Sequence, residues 1–240
     1  MRLTALFISA GLAALAAGSA RADTALVGGD TEPYFVVFLR PYSNAAALDK
    51  GEEDRIQAAH MAAIRKMAND GALIAAGPMA EKPATINGLF VLKASSLAEA
   101  RRLVRQDPAI AAKRNLADVH PWNGPKGIGV GYFQWKRAHP EAEDAMGVHA
   151  LCILHRGPRF AADPKADGEH AVFIDSLRTA GILAAAGLTE GDPDLYGLCI
   201  FKTGSLDEAK RILAQDPVVK SGRVVPEVHR WWTADLVLPW

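Results

Sequence analysis

Two stretches of the chain decide its fold when they are set side by side: Gly88-Leu89-Phe90-Val91-Leu92-Lys93-Ala94-Ser95-Ser96-Leu97-Ala98-Glu99-Ala100 and Gly197-Leu198-Cys199-Ile200-Phe201-Lys202-Thr203-Gly204-Ser205-Leu206-Asp207-Glu208-Ala209. Each opens with a short apolar run closed by a lysine, which reads as a buried strand. Each then carries a serine with a glutamate three residues on, the spacing of a helix start in which the hydroxyl caps the first turn. Outward from this pair the register holds. His60 matches His170, Gly71 matches Gly181, and Ala75-Ala76-Gly77 matches Ala185-Ala186-Gly187. In the other direction Gln106-Asp107-Pro108 falls on Gln215-Asp216-Pro217, and Val119-His120 with Trp122 falls on Val228-His229 with Trp231. Chance does not keep such spacing, so the chain reads as two copies of one unit of roughly 90 residues, an ordinary size for a small domain.

Within each copy strand and helix patterns alternate. Tyr34 to Leu39 and Val148 to Leu154 are apolar, β-rich runs that open the copies. Helices are predicted from Glu52 to Ala68 and from Gly168 to Thr179, ending near Gly71 and Gly181, where a left-handed cap is expected. Ala72 to Ala76 and Ile182 to Ala186 form second strands, and Gly88 to Lys93 and Gly197 to Lys202 third strands. The helices that start at Ser96 and Ser205 are expected to end at Asp-Pro, before last strands through Val119-His120 and Val228-His229. The order βαββαβ is that of a ferredoxin-like α+β unit, two helices on one face of an antiparallel sheet. Phe35 to Leu39 and Leu151 to Leu154 are apolar at consecutive positions, so both faces of these strands require burial. The two copies, 33–125 and 147–235, are therefore expected to pack sheet to sheet as a fused pseudo-dimer joined by a linker over 126–146.

Residues 1–22 read as an export signal: Arg2, an apolar run from Leu3 to Ala17, and Ala20-Arg21-Ala22 before an expected cleavage site. The run is short for a bilayer span, and the mature product is expected in the periplasm or outside the cell. The chain is 240 residues long, 50% hydrophobic and 22% charged, with 27 basic against 27 acidic side chains, which excludes disorder and leaves no excess charge for gripping nucleic acid. Two cysteines, Cys152 and Cys199, do not make a disulfide scaffold; they fall on strands expected to be neighbours and are read as free thiols. No phosphate loop, nucleophile turn or zinc-ligand spacing is present, so no metal and no cofactor is predicted.

Ala59-His60, Gly71-Ala72-Leu73, Ala76-Gly77-Pro78, Gly88 to Leu92, Ser96 to Ala100, Asp107-Pro108 and Val119-His120-Pro121-Trp122 together resemble the YCII-related domain, of the dimeric α+β barrel superfamily. The second copy is looser, with Leu188 in place of Pro78 and Arg230 in place of Pro121. The resemblance implies a ferredoxin-like domain that pairs through its sheet. It also implies a His and an Asp as an acid/base pair. One branch of the family resembles a dehydrochlorinase of chlorinated hydroxyhydroquinones, and superfamily relatives include muconolactone-type isomerases and small monooxygenases.

His60 lies on a helical stripe with Ile56, Ile64 and Met67, and His170 on one with Ile174 and Leu177, so each imidazole faces apolar surroundings and needs a polar partner. A histidine there is either a core residue bonded to backbone or a proton-transfer group. Asp107 and Asp216 are the candidate partners, with a structural turn as the alternative. Arg40, Arg156, His120, His229, Trp122 and Trp231 are candidates for holding a small ligand, aromatic compounds included, against core packing and surface solvation. The function expected is a cofactor-free lyase or isomerase using His/Asp acid/base chemistry on a small molecule. The alternative is a non-catalytic periplasmic module that binds a small molecule or a protein partner.

Overall fold

The structure is a computed structural model that describes residues 29–81, 84–189 and 191–239; the expected export signal lies outside them. The first half runs β1 (Thr31–Pro41), α1 (Lys50–Asn69), β2 (Leu73–Pro78), β3 (Gly88–Leu92), α2 (Leu97–Val104), α3 (Pro108–Ala111) and β4 (Asn115–Pro125). After α4 (Val130–Ala138) the second half follows as β5 (Met146–Arg156), α5 (Pro164–Thr179), β6 (Leu183–Thr189), β7 (Leu195–Phe201), α6 (Leu206–Leu213), α7 (Pro217–Lys220) and β8 (Val224–Ala234).

Local chemistry explains the helix boundaries. Asp49 and Asp163 cap α1 and α5 through their carboxylates, and Ser96 and Ser205 accept from the backbone N–H of Glu99 and Glu208. The return arm of the capping box is displaced: Glu99 accepts from Ser95 N–H at 2.8 Å, and Glu208 from the Thr203 hydroxyl at 2.7 Å. Gly71 and Gly181 take φ of 74° and 71°, the left-handed exit expected after α1 and α5. One expectation is corrected. Asp107-Pro108 and Asp216-Pro217 do not end a helix but begin one, each aspartate capping a short helix with proline at its first position. A second addition is α4, which forms within the predicted linker. Its first turn is held by the C-terminal tail, Gly129 N–H donating to Val237 O at 2.7 Å and Tyr132 N–H to Leu236 O at 3.0 Å.

The strands form one eight-stranded antiparallel sheet in the order β2-β3-β1-β4-β6-β7-β5-β8. The halves join where Trp122 and Asn123 of β4 pair with Thr189 and Leu188 of β6. At the other seam Met79 bridges Trp231, Ala80 N–H donates to Arg230 O at 2.9 Å, and the Thr233 hydroxyl donates to Ala76 O at 3.2 Å. The two inner faces meet as predicted for a sheet-to-sheet pseudo-dimer: Tyr34, Val36, Phe38, Leu89 and Val91 pack with Leu151, Ile153, Leu198 and Ile200 in one core. Each such side chain, removed from water, contributes on the order of 2 kcal/mol before the cost of ordering it. Outer cores form under the helices, around Phe35, Val37 and Phe90 in the first half and Cys152, Leu154 and Phe201 in the second. Cys152 stands directly opposite Cys199 across β5 and β7, and burial pushes both thiols up. Among the described residues no helix is long and apolar enough to cross a membrane.

Candidate active site

His60 projects from the sheet-facing side of α1 and stacks on the ring of Phe90, centroids 6.1 Å apart. Its Nδ1 lies 2.8 and 2.7 Å from the two oxygens of Asp107. That carboxylate is 1% exposed and also accepts from Ala109 N–H at 2.9 Å as the cap of α3. The short helix fixes the aspartate, and the aspartate fixes the imidazole. An ionised carboxylate only accepts hydrogen bonds, so it selects the tautomer with the hydrogen on Nδ1 and leaves a lone pair on Nε2. Among the described residues no protein group hydrogen-bonds to that Nε2, and the side chain, 13% exposed, borders a cleft of about 690 Å³.

Apolar walls come from Ile56, Met61, Ile64 and Phe90 of the first half and from Tyr132, Phe133 and Val237 of α4 and the tail. Gln57, Asn87 and Arg114 add polar groups to the lining. The Tyr132 hydroxyl donates to Asp144 at 2.9 Å, and burial with that carboxylate pushes its phenol up to about 12. Gln57, Asn87, Arg114 and Tyr132 were not anticipated. Asn87 and Arg114 could have been found by extending the repeat, since Tyr196 and Arg223 stand at the matching places before Gly197 and Val224; α4 has no counterpart to align with.

His170 has the same partner but another setting. Its Nδ1 lies 2.7 Å from Asp216, which accepts from Val218 N–H at 3.1 Å. The imidazole is only 2% exposed and the Tyr196 ring meets it edge-on at 5.4 Å. His60 thus borders a cleft, whereas His170 is enclosed.

The other candidate residues lie elsewhere. Arg40 pairs with Asp118 at 3.1 Å, on the barrel side of the sheet. His120 sits beside Phe38, 2.8 Å from Asp118 and in contact with Asp192 of the second half. Burial alone would lower the His120 imidazole, but the two carboxylates outweigh it and raise it. His229 Nε2 and His155 Nε2 each lie 2.9 Å from Glu227, whose carboxyl the pair holds far below the usual range. The match of Arg40 with Arg156 is corrected by the strand register. Arg40 lies opposite Leu116 in the β1–β4 pair, and the equivalent residue opposite Val225 in the β5–β8 pair is His155. Arg156, one residue on, turns to the helix face and lies 4.3 Å over the Phe160 ring, because a one-residue step reverses the face of a strand. Trp122 and Trp231 are 2% and 0% exposed and staple the barrel seams instead of lining the cleft. Among the described residues no group of three or more His, Cys, Asp or Glu side chains is arranged to hold a metal ion.

With this geometry in place, the chain can be set beside known proteins. A comparison with curated proteins finds no match. Among solved structures the chain is similar to variants of chlorite dismutase from Candidatus Nitrospira defluvii. One has TM-score 0.56 at 10% identity over 89% of this chain and 94% of that one, and another has TM-score 0.57 at 11% identity over 87% and 93%. At that identity the likeness establishes the shared α+β barrel fold and nothing of the chemistry. The family model of the YCII-related domain matches residues 34–123. The residues so matched make up the first half of the barrel, the half that carries His60 and Asp107.

Proposed function

We propose that the protein is an acid/base catalyst of the lyase or isomerase type, acting on a small molecule held in the first-half cleft, with His60 as the proton-transfer residue. Asp107 positions it. Nε2 would accept a proton from the substrate while the electron pair left behind shifts to a new double bond. In an isomerisation His60 returns that proton at a second atom; in an elimination the pair expels a leaving group, and the proton passes to it or to water. The protein's own residues suffice for such a cycle. The observation that carries this reading is the asymmetry between the two His/Asp pairs, one bordering a large cleft and one enclosed by Tyr196.

In this reading the chain is two copies of one domain behind an export signal, working in the periplasm or outside the cell. The second copy keeps the pair as structure and completes the barrel. The test is turnover of a panel of phenolic and lactone substrates by His60→Ala and His170→Ala, alongside melting curves. Loss of general acid/base catalysis should lower the rate of His60→Ala by about 100-fold or more with the fold intact, and His170→Ala should lose stability and keep its rate per folded molecule. Saturable binding of panel members with no turnover by the wild type would instead make the protein a binding module.

A further inference from the structure

The two halves carry different residues at equivalent positions around their histidines. Asp167 stands three residues before His170 where Gln57 stands three before His60. Tyr196 precedes Gly197 where Asn87 precedes Gly88, and Arg223 leads into β8 where Arg114 leads into β4. In the second half these side chains are joined. Arg223 Nη1 donates to Asp167 Oδ1 at 2.9 Å, and the Tyr196 hydroxyl donates to the same oxygen at 3.2 Å. Arg223 is 5% exposed, so this is a guanidinium removed from water and matched by an internal carboxylate beside the histidine.

The first half keeps the guanidinium and lacks that carboxylate. Both arginines are held by a carbonyl of the loop after the first strand: Arg114 Nη1 donates to Ala46 O at 2.7 Å, and Arg223 donates to Ala161 O from Nε at 3.1 Å and from Nη2 at 2.7 Å. At the place of Asp167, however, there is the neutral amide of Gln57, and at the place of the Tyr196 ring the smaller Asn87, whose Nδ2 donates to Asn115 at 2.8 Å. Gln57, Asn87, Arg114 and His60 all line the cleft. Glu53 approaches Arg114 Nη2 at 3.6 Å, but its side chain is 52% exposed, and such a solvated pair contributes little and exchanges readily.

Building on the acid/base reading of this cleft, we infer that its substrate is a small carboxylic acid whose carboxylate binds Arg114, in the position that Asp167 fills in the second half. The planar guanidinium fork matches a carboxylate, and the Gln57 and Asn87 amides offer further donors beside it. The apolar body of the acid then lies against Met61, Ile64 and Phe90, next to the free nitrogen of His60. The second half is the same site with its own carboxylate in place, closed by an aromatic ring.

Titration calorimetry of the full-length mature protein with benzoate, and with benzamide as its neutral counterpart, tests this. Benzoate should bind saturably and benzamide much more weakly. Arg114→Gln should weaken benzoate by about tenfold or more, the loss expected for one charge-assisted pair. Gln57→Asp, which supplies the internal carboxylate, should weaken it as much while leaving the melting temperature unchanged or raised. Gln57→Asp keeps the test open even where Arg114→Gln fails to fold. No saturable benzoate binding by the wild type, equal binding of benzamide, or benzoate affinity unchanged in Gln57→Asp would each overturn the inference. Benzoate binding that depends on Arg114, together with undiminished turnover in His60→Ala, would leave the carboxylate site standing and remove the acid/base reading.

Discussion

Trp231 donates its indole N–H to the carbonyl of Gly77 at 3.1 Å, across the seam where the last strand of the chain meets the edge of the first half. The contact needs a residue without a side chain, since a Cβ on Gly77 would lie 1.6 Å from the carbonyl oxygen of Trp232. Gly187 is equally crowded at the other seam, where a Cβ would fall 2.2 Å from the carbonyl oxygen of Asn123. Both close approaches are to backbone, which cannot swing aside.

Gly77→Ala and Gly187→Ala should therefore each destabilise the protein by about 3 kcal/mol or more, the upper range for overpacking. Gly71→Ala is the contrast. A Cβ there meets nothing within 4 Å, and only its φ of 74° is unfavourable. Its cost should be about 1 kcal/mol. Urea denaturation of the three variants ranks them, and a Gly77→Ala variant as stable as Gly71→Ala would show that the seam is not closed as described.

The two buried aspartates separate positioning from catalysis. Asn retains the helix-capping oxygen but is neutral, so Asp107→Asn and Asp216→Asn should each lose about 1.5–3 kcal/mol, the range for a hydrogen bond to a charged group. Only Asp107→Asn should also lower turnover, by about tenfold or more, because the amide no longer selects the imidazole tautomer. Equal rates per folded molecule in the two variants would place Asp107 with the structural residues.

Stability should depend on pH through the charged groups inside the barrel. Asp118, Asp192 and Glu227 have carboxyl groups held below their ordinary values, Asp118 and Glu227 chiefly by hydrogen bonds from histidines, Asp192 by hydrogen bonds that outweigh its burial. Their contribution is present above the ordinary carboxylate values of 3.8 and 4.5 and is lost as pH falls through the lowered ones. The raised His120 contributes below its ordinary value of 6.5 and loses that contribution as pH rises through the raised one. His149, lowered by burial, acts in the opposite sense but equally in both proteins compared. His120→Asn should thus abolish part of the decline in melting temperature above neutral pH that the wild type shows. Identical slopes for the two proteins on that side would refute the assignment.

Residues 23–130 expressed alone should self-associate. The inner face carrying Tyr34, Val36, Phe38, Leu89 and Val91 is covered in the full chain by β5 and β7 of the second half, and a fragment without them leaves a large apolar patch in water. Sedimentation that finds a soluble monomer of this fragment would contradict the pseudo-dimer account.

The sequence by itself marked the eight strands and the two longer helices of each half, but not α4 or the short helices that begin at Asp107 and Asp216. Apolar runs at consecutive positions, such as Phe35 to Leu39, required burial on both faces, and the similar run Leu151 to Leu154 marked a second sheet able to bury them. It also made His60 with Asp107, and His170 with Asp216, the pairs to watch, because each histidine on an apolar helical stripe needs a polar partner and an Asp-Pro follows at nearly the same distance, 47 and 46 residues on. Three things were decided only in three dimensions. The register across β1–β4 and β5–β8 set Arg156 on the opposite face from Arg40, since a strand alternates faces at every residue and linear matching tolerates a one-residue slip. The Asp-Pro pairs start helices instead of ending them, which depends on where the chain turns next. The fate of the two histidines was settled by non-local packing: Tyr196 and the Asp167–Arg223 pair fill the second site, while Asn87, Gln57 and the unmatched helix α4 shape the first into a cleft. Whether a side chain meets solvent depends on the volume of neighbours brought from distant parts of the chain, and the spacing of residues along a strand or helix does not record that volume.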